Sequence, residues 1–408
     1  MKRGQLESTM LILVTLGLVA FGLVMVYSAT SAPATLGGGD PGYYLKKQTV
    51  YALVGLGLLL AASRFDYRRL RDSSPLLVAG AAVLCLIVLG MGASVNGARR
   101  WLTIGPVVFQ PSELAKIAVA VWAAAYLARR RPPKTLGELA RPLGLVFAVF
   151  AVLIMLEPDL GTTIILMLML IGVLIVAGTP MRLVATSAVL VSAFGLAAIW
   201  VEPYRRERFL SFLNPWHDQL GAGFQSVQAM IGLGSGGFLG KGLGESLLKM
   251  NYLPEAHTDM IFAIIGEELG LVGVMLVLAA YAVFAWAGYS IAIQCKDPFG
   301  KRLAVALTTL ICGQAIINIA AVMGLAPLTG IPLPFVSAGG SSLVVALAAV
   351  GLLLNIGADD RVVVSADRRG RDGRTRAAVA RSRRGAGRAR RAGDVRRVAG
   401  SAQSAARP

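Results

Sequence analysis

The sequence predicts an all-α fold, a polytopic integral membrane protein with about ten transmembrane helices. The composition is 56% hydrophobic and only 15% charged, with a mean hydropathy of +0.67, whereas soluble domains carry about 25% charged residues. The chain also contains apolar runs close to the roughly 17–25 residues needed to cross about 30 Å of hydrocarbon. Backbone polar groups inside a bilayer must be satisfied within their own segment, so these runs are predicted to be helices.

One connection, between the seventh and the eighth predicted helices, is far longer than its neighbours. That connection, residues 201–258, is nearly sixty residues long, and its aromatic side chains are interleaved with glycines. Loops of this length are usually functional or disordered, and the aromatic content favours short amphipathic or re-entrant pieces packed on the helix ends. The first run lacks a cleavage-like end and is interpreted as a retained helix. The helices are predicted at residues 9–28, 48–64, 75–92, 112–128, 141–157, 160–178, 182–200, 260–290, 302–325 and 338–357.

Basic residues cluster in connections that share one side of the membrane when the helices are counted alternately. These are Lys2 and Arg3 and the loops at 65–73, 129–134 and 296–302. Because basic loops stay in the cytoplasm, both termini are predicted to be cytoplasmic and the long connection extracytoplasmic. The outward-facing connections are then residues 29–47, 93–111, 157–159, 201–258 and 326–337.

Two domains are predicted, a transmembrane domain at 1–358 and a tail at 359–408. In the tail, hydrophobic residues give way to Arg, Ala, Gly and Ser. Such a segment cannot bury enough apolar surface to offset its loss of conformational entropy, so we predict an Arg-rich disordered tail. A tethered polybasic tail on the cytoplasmic side favours anionic lipid heads as its partner, and we expect no nucleic acid.

Ionisable side chains are concentrated in residues 252–270, YLPEAHTDMIFAIIGEELG, at the start of the eighth helix. A carboxylate at the edge of a membrane helix is costly and indicates a functional site. Asp259 can act as a general base in a partly desolvated site, bind a hard cation, or cap the helix, a role that Thr258 could equally fill. Glu267 lies eight residues further on and is predicted near the same helical face.

A second group lies in residues 96–116, NGARRWLTIGPVVFQPSELAK. Glu113 and Lys116 are three residues apart, so on a helix they share a face and can form either a structural ion pair or part of a site. Arg99 and Arg100 can clamp a phosphate through their planar guanidinium groups. They can equally anchor the interface beside Trp101.

Two further stretches interrupt the helices. In Glu157-Pro158-Asp159, Asp159 can cap the returning helix, or the two carboxylates can hold a divalent cation or orient a cationic side chain. Residues 326–342, APLTGIPLPFVSAGGSS, carry three prolines and three glycines at membrane depth. Irregular backbone is tolerated there when it is buried in protein or lines a cavity, so we predict cavity lining.

Together these stretches resemble the SEDS family of bacterial wall polymerases (shape, elongation, division and sporulation). The motifs occur in family order and cover residues 9–357, leaving the basic tail outside. The motifs are NGARRWL, FQPSELAK, EPDLGT, FLNPWHD, GFQSVQA, LPEAHTDMIFAIIGEELG and GIPLPFVSAGGSS. Their form is closer to the division members of the family than to the elongation members.

The resemblance implies a peptidoglycan glycosyltransferase that polymerises lipid II at the outer face of the cytoplasmic membrane, at the division septum. It implies an essential catalytic Asp at Asp259, and a Glu and Lys at Glu113 and Lys116. A divalent cation, Mg²⁺ or Mn²⁺, can assist the pyrophosphate leaving group, with Asp259 as a candidate ligand. The substrate-binding residues are then Arg99, Arg100, Glu113, Lys116, Asp159, His257, Glu267 and Ser337.

The implied partners are lipid II, the growing undecaprenyl-pyrophosphate-linked glycan strand, a class B penicillin-binding protein transpeptidase and other divisome proteins. Two alternatives remain open. A lipid II flippase also suits a helix bundle with a few intramembrane charges, although such a relay would run through the midplane. A non-catalytic division scaffold would leave Asp259 dispensable.

Overall fold

Long helices dominate the computed structural model, which describes residues 3–36, 39–95, 98–105, 107–253 and 256–358. Nine helices in these ranges are long and apolar enough to cross a membrane. A tenth, α4, has 19 residues and carries Glu113 and Lys116. The helices are α1 Arg3–Leu36, α2 Tyr43–Arg64, α3 Arg68–Met91, α4 Pro111–Arg129, α5 Leu136–Leu156, α6 Leu160–Ala177, α7 Met181–Val201, α8 Pro203–Leu213, α9 Phe224–Ser235, α10 Ile261–Gln294, α11 Pro298–Val322 and α12 Gly340–Ala358.

All ten predicted transmembrane runs fall on these helices, and the fold class is confirmed. Local signals set several of the ends. Pro298 occupies the first turn of α11, where its missing N–H costs nothing, and the Asp297 side chain accepts hydrogen bonds from Phe299 N and Gly300 N. Gly178 ends α6 in the left-handed conformation at φ 85°.

A small antiparallel sheet departs from the purely helical expectation. It lies between α3 and α4 and has the strand order β1 Ala93–Val95, β2 Ala98–Ile104 and β3 Val107–Phe109. Leu102 pairs with Phe109 and Ile104 with Val107. The β-branched and aromatic residues here suit a pleated, half-buried surface, but the strands are too short to stand out beside long apolar helices.

Buried α11 lies at the centre of the bundle. It packs against α10, α6 and α4, while α1 packs along α10 and α3 along α4. By contrast, only a small part of α7 is buried. Polar side chains on α11 can therefore reach α10, α6 and α4. The candidate site lies among these helices.

The long connection contains the short packed pieces that its sequence predicts. Helices α8 and α9 flank a single 3₁₀ turn at Pro215–Asp218, and a glycine-rich loop, residues 236–247, follows α9. This loop lies against α10, whose helical path is broken at Gly270, with φ 63° and ψ −157°. The tail at 359–408, with its predicted disorder and lipid contact, lies outside the described residues.

Candidate functional site

Asp259 lies in a turn, residues 256–260, directly before α10. Met260 is the N-cap residue of α10, and its own side chain makes no capping hydrogen bond. Thr258 Oγ1 donates to Asp259 Oδ1 at 3.2 Å, and the Asp259 side chain is half-buried. Because the helix begins after this turn, Asp259 is not on its surface, and the predicted shared face with Glu267 does not form.

The irregular segment before α12, residues 323–339, closes over the Asp259 turn. Ala338 N donates to His257 O at 2.9 Å, and the rings of His257 and Tyr44 lie 4.5 Å apart. At Gly330, a Cβ atom would lie 4.0 Å from Asp259 Oδ2, and φ there is 69°. The two stretches that the sequence singles out separately therefore form one site.

Two side-chain amides on α11 hold this site together. Asn318 Nδ2 donates to Asp259 O at 2.7 Å and to Ile331 O at 2.8 Å. Four residues earlier, Gln314 Nε2 donates to Pro332 O at 2.9 Å. The buried carbonyls of the irregular segment thus find partners inside the protein, as non-helical backbone at membrane depth requires.

The Glu113 and Lys116 side chains form the buried ion pair that their spacing predicts. Lys116 Nζ lies 2.8 Å from Glu113 Oε1, and both side chains are buried within the bundle. Lys116 Nζ also donates to Gln314 Oε1 at 2.9 Å. Gln314 consequently links the ion pair to the segment that covers Asp259.

Sequence reasoning missed Gln314 and Asn318. Both are buried amides in a helix otherwise rich in apolar residues, and they lie on one face because they are four residues apart. A buried amide in a membrane helix needs hydrogen-bond partners, and that requirement is the signal that points to them.

The structure gives Arg99 and Arg100 different environments. Arg100 Nε donates to Glu157 O at 2.8 Å, and its Nη2 donates to Pro158 O, so this guanidinium binds the carbonyls that follow α5. Arg99 is exposed. Consecutive residues of a strand point to opposite faces, so the two arginines of β2 do not form a joint clamp.

Asp159 caps α6, one of the two roles that the sequence leaves open. Its Oδ1 accepts a hydrogen bond from Thr162 N at 3.0 Å, and its Oδ2 accepts one from Thr162 Oγ1 at 2.8 Å. Ser337, another predicted substrate contact, is buried, and its Oγ accepts a hydrogen bond from Leu333 N at 2.7 Å. Both side chains therefore stabilise the backbone around the site.

Glu157 is a fully buried carboxyl group between α5 and α6. Neither of its oxygens has a hydrogen-bond partner among the described residues. Burial, followed by the nearby charge of Asp159, raises the pKa of Glu157 to about 8. The group is therefore largely protonated at neutral pH.

Glu267 and Glu268 bind the glycine-rich loop and its continuation to α10. The Glu267 carboxylate accepts hydrogen bonds from Lys241 Nζ at 2.7 Å and from Ser246 Oγ at 2.5 Å. The Glu268 carboxylate accepts hydrogen bonds from Ser28 Oγ, at 2.7 and 2.8 Å, and from Lys249 Nζ at 3.3 Å. Glu267, predicted as a substrate contact, thus lies against protein.

No group of three or more His, Cys, Asp or Glu side chains that could hold a metal ion occurs among the described residues. Asp259 offers a single carboxylate. Mg²⁺ commonly binds through one or two carboxylates together with substrate phosphates, so these donors fit a cation shared with a phosphate ligand.

The fold and site define a polytopic helical membrane protein in which a half-buried carboxylate directly precedes a membrane-crossing helix, and the side chains of one buried helix link its turn to a buried ion pair. Residues 8–362 match the FtsW/RodA/SpoVE family of cell cycle proteins. The chain belongs to this family.

Individual relatives are similar in sequence to this chain over most of their length. The chain is 40% identical over 349 residues to a probable peptidoglycan glycosyltransferase FtsW of Geobacter metallireducens, covering 85% of this chain and 93% of that one. It is 40% identical over 354 residues to stage V sporulation protein E of Bacillus subtilis, covering 85% and 96% of the two chains.

Solved structures share the fold. One chain belongs to a peptidoglycan synthase complex described for its coordination of polymerization and crosslinking. It matches with a TM-score of 0.74 at 30% identity, over 86% of this chain and 97% of that one. The rod shape determining protein RodA of Thermus thermophilus matches with a TM-score of 0.65 at 26% identity, over 86% and 96%.

Proposed function

We propose that this protein is a peptidoglycan glycosyltransferase that polymerises lipid II during septal cell division. The observation that carries the proposal is the Asp259 turn, in which a half-buried carboxylate is fixed at the end of a membrane helix. Family membership and the names of relatives that are about 40% identical support the reaction class.

In this reaction the Asp259 carboxylate accepts the proton of the acceptor sugar hydroxyl as its oxygen attacks the donor sugar. A new glycosidic bond forms, the bond from the donor sugar to pyrophosphate breaks, and the pyrophosphate leaves with the electron pair. A base works best when its own geometry is fixed and it can reach the hydroxyl proton. Thr258 and Asn318 supply that fixation through the Asp259 side chain and main chain.

Positive charge near the site favours the departing pyrophosphate. Arg99 is exposed on β2 and can reach a ligand, whereas Lys116 is buried and acts through Gln314 and the irregular segment. In the alternative role that the sequence leaves open for Asp259, its carboxylate would hold a divalent cation, and that cation would stabilise the charge developing on the pyrophosphate.

Arg100 and Asp159, both predicted substrate contacts, are assigned to holding the ends of α5 and α6 beside the site. His257 stays with the substrate-binding group because it shares the turn with Asp259. Glu267 and Ser337 act indirectly, since each is hydrogen-bonded within the protein.

The proposed location is the cytoplasmic membrane, with both termini in the cytoplasm and the Asp259 turn on the outer face. The basic loops at 65–73 and 129–134 support this orientation. A class B penicillin-binding protein is the proposed partner, because a similar chain comes from a complex that couples polymerization with crosslinking.

The test is incubation of the purified full chain with lipid II, alone and with its cognate class B penicillin-binding protein. Glycan strands longer than one disaccharide, resolved by gel electrophoresis, are the expected product. In parallel, vesicles loaded with labelled lipid II report transfer across the bilayer. Translocation without strand formation under both conditions would contradict the polymerase and indicate the flippase instead.

A further inference from the structure

The glycine-rich loop turns large apolar side chains outward. Phe238 is 68% exposed and Leu239 is 77% exposed, and Leu243 and Leu247 are exposed as well. Lys241 of the loop is ion-paired to Glu267 at 2.7 Å. The acidic side chain of the loop, Glu245, is exposed. Contiguous exposed apolar side chains indicate an interaction surface.

Part of the loop main chain is hydrogen-bonded to the main chain of α10. The break at Gly270 leaves main-chain amides and carbonyls of α10 without partners inside the helix, and main-chain groups of the loop form hydrogen bonds with them. Backbone that contacts lipid must be satisfied internally in this way. Four hydrogen bonds of 3.0 to 3.3 Å join the two main chains: Lys241 N to Glu267 O, Gly242 N to Glu268 O, Leu271 N to Gly237 O and Val272 N to Phe238 O.

Contacts between α1 and α10 give the depth of this pairing. At one end of the bundle Gln294 Nε2 donates to Glu7 Oε1 at 2.9 Å, and at the other Ser28 Oγ donates to Glu268. Along α1 these positions are about 31 Å apart at 1.5 Å per residue, close to the thickness of the hydrocarbon. The Phe238 carbonyl accepts a hydrogen bond from Val272 N, which follows the break at Gly270 and lies further along α10 towards Gln294 than Glu268 does.

The apolar face of the loop also continues an exposed surface of a membrane-crossing helix. Leu271, Val272 and Met275 are 47%, 47% and 55% exposed on α10. Apolar side chains exposed on a membrane-spanning helix at this depth contact lipid. The Phe238 main-chain carbonyl accepts a hydrogen bond from Val272 N. The exposed Phe238 side chain therefore extends the apolar surface formed by Leu271, Val272 and Met275.

We propose that the glycine-rich loop is a re-entrant element whose outward face, Phe238, Leu239 and Leu243, contacts the acyl chains of bilayer phospholipids. Glu267 and Glu268 hold the inner face of the loop and the turn after it. The bilayer thereby braces the first turns of α10, which directly follow the Asp259 turn. The proposal does not depend on the polymerase activity, and its test uses no substrate.

The experiment places single cysteines in the full-length protein, reconstituted in phosphatidylethanolamine–phosphatidylglycerol nanodiscs, and measures labelling by a charged, water-soluble maleimide. Leu239→Cys is the test variant, with Leu243→Cys as a second variant in case the first does not fold. Met275→Cys marks the lipid surface of α10, and Asp40→Cys, 50% exposed before α2, marks water. The three native cysteines are buried, so the wild type gives the background.

A thiol among acyl chains is poorly ionised and hidden from the reagent, so Leu239→Cys should label about tenfold or more slowly than Asp40→Cys, at the rate of Met275→Cys. Labelling after denaturation confirms that every thiol is present. Labelling of Leu239→Cys and Leu243→Cys as fast as Asp40→Cys would overturn the proposal. Protection that appears only after the class B penicillin-binding protein is added would also overturn it, because the occupant would then be protein.

Discussion

Replacing Lys116 with methionine should lower the free energy of unfolding strongly. Adding the substitution Glu113→Gln should restore part of that lost stability. Lys116 is fully buried and bonds Glu113 at 2.8 Å and Gln314 at 2.9 Å. Methionine keeps most of the volume and leaves a buried carboxylate without its cation. Breaking a buried ion pair in this way costs about 3–5 kcal/mol.

The double variant Glu113→Gln/Lys116→Met removes both charges. It still leaves Gln314 Oε1 without its donor, which costs about 1–3 kcal/mol. The double variant should therefore be more stable than Lys116→Met alone. Unfolding in mixed detergent micelles, followed by circular dichroism, measures both free energies of unfolding relative to wild type.

The same pair of variants separates structure from catalysis. If the charges take part in the reaction, neither variant forms glycan from lipid II, although the double variant is folded. Full activity in the double variant would reduce the pair to a structural role. A double variant that is no more stable than Lys116→Met would refute the reasoning about the uncompensated charge.

Three further predictions follow from single contacts. Arg100→Ala removes two hydrogen bonds to the carbonyls after α5 and should lower the free energy of unfolding by about 1–3 kcal/mol, whereas Arg99→Ala, at an exposed position, should change it little. Asn318→Ala should lower kcat more than it raises KM, because it removes the hydrogen bond that holds the main chain of the Asp259 turn. The control Asn355→Ala should leave kcat unchanged, because it removes only a hydrogen bond to Ser63 O at the opposite end of the bundle. The pKa of Glu157 is about 8 in the folded protein and 4.5 for the free group. Between these two pH values the folded protein keeps the proton that the unfolded chain has lost. The free energy of unfolding should therefore fall as pH rises from about 5 to about 8, and Glu157→Gln should flatten that slope; equal slopes would contradict the assignment.

The membrane helices could be predicted because each depends on local information. Length and hydropathy alone locate them, and signals such as Asp297-Pro298 or Gly178 place individual ends. The Glu113–Lys116 pair is also local, since three-residue spacing on a helix brings the two side chains together. The small sheet escaped prediction because its strands have three to seven residues.

The linkages within the site could not be predicted, because they join residues that are distant in the sequence. The contact of Asn318 with Asp259 spans 59 residues, and that of Lys116 with Gln314 spans 198. The break at Gly270 belongs to the same class, since the sequence shows a glycine in an apolar run but not the loop that pairs with it. Periodicity also places Asp259 and Glu267 on one face, and that inference failed because the helix starts two residues after Asp259.

The most direct test of the central claim compares Asp259→Asn with wild type in lipid II polymerisation by the full chain bound to its cognate class B penicillin-binding protein. Asparagine keeps the size of the side chain and can still accept a hydrogen bond from Thr258. The variant should therefore fold, bind its partner and bind lipid II, yet form no glycan strands, because an amide cannot accept the hydroxyl proton. Glycan strands formed by Asp259→Asn at the wild-type rate would contradict the account.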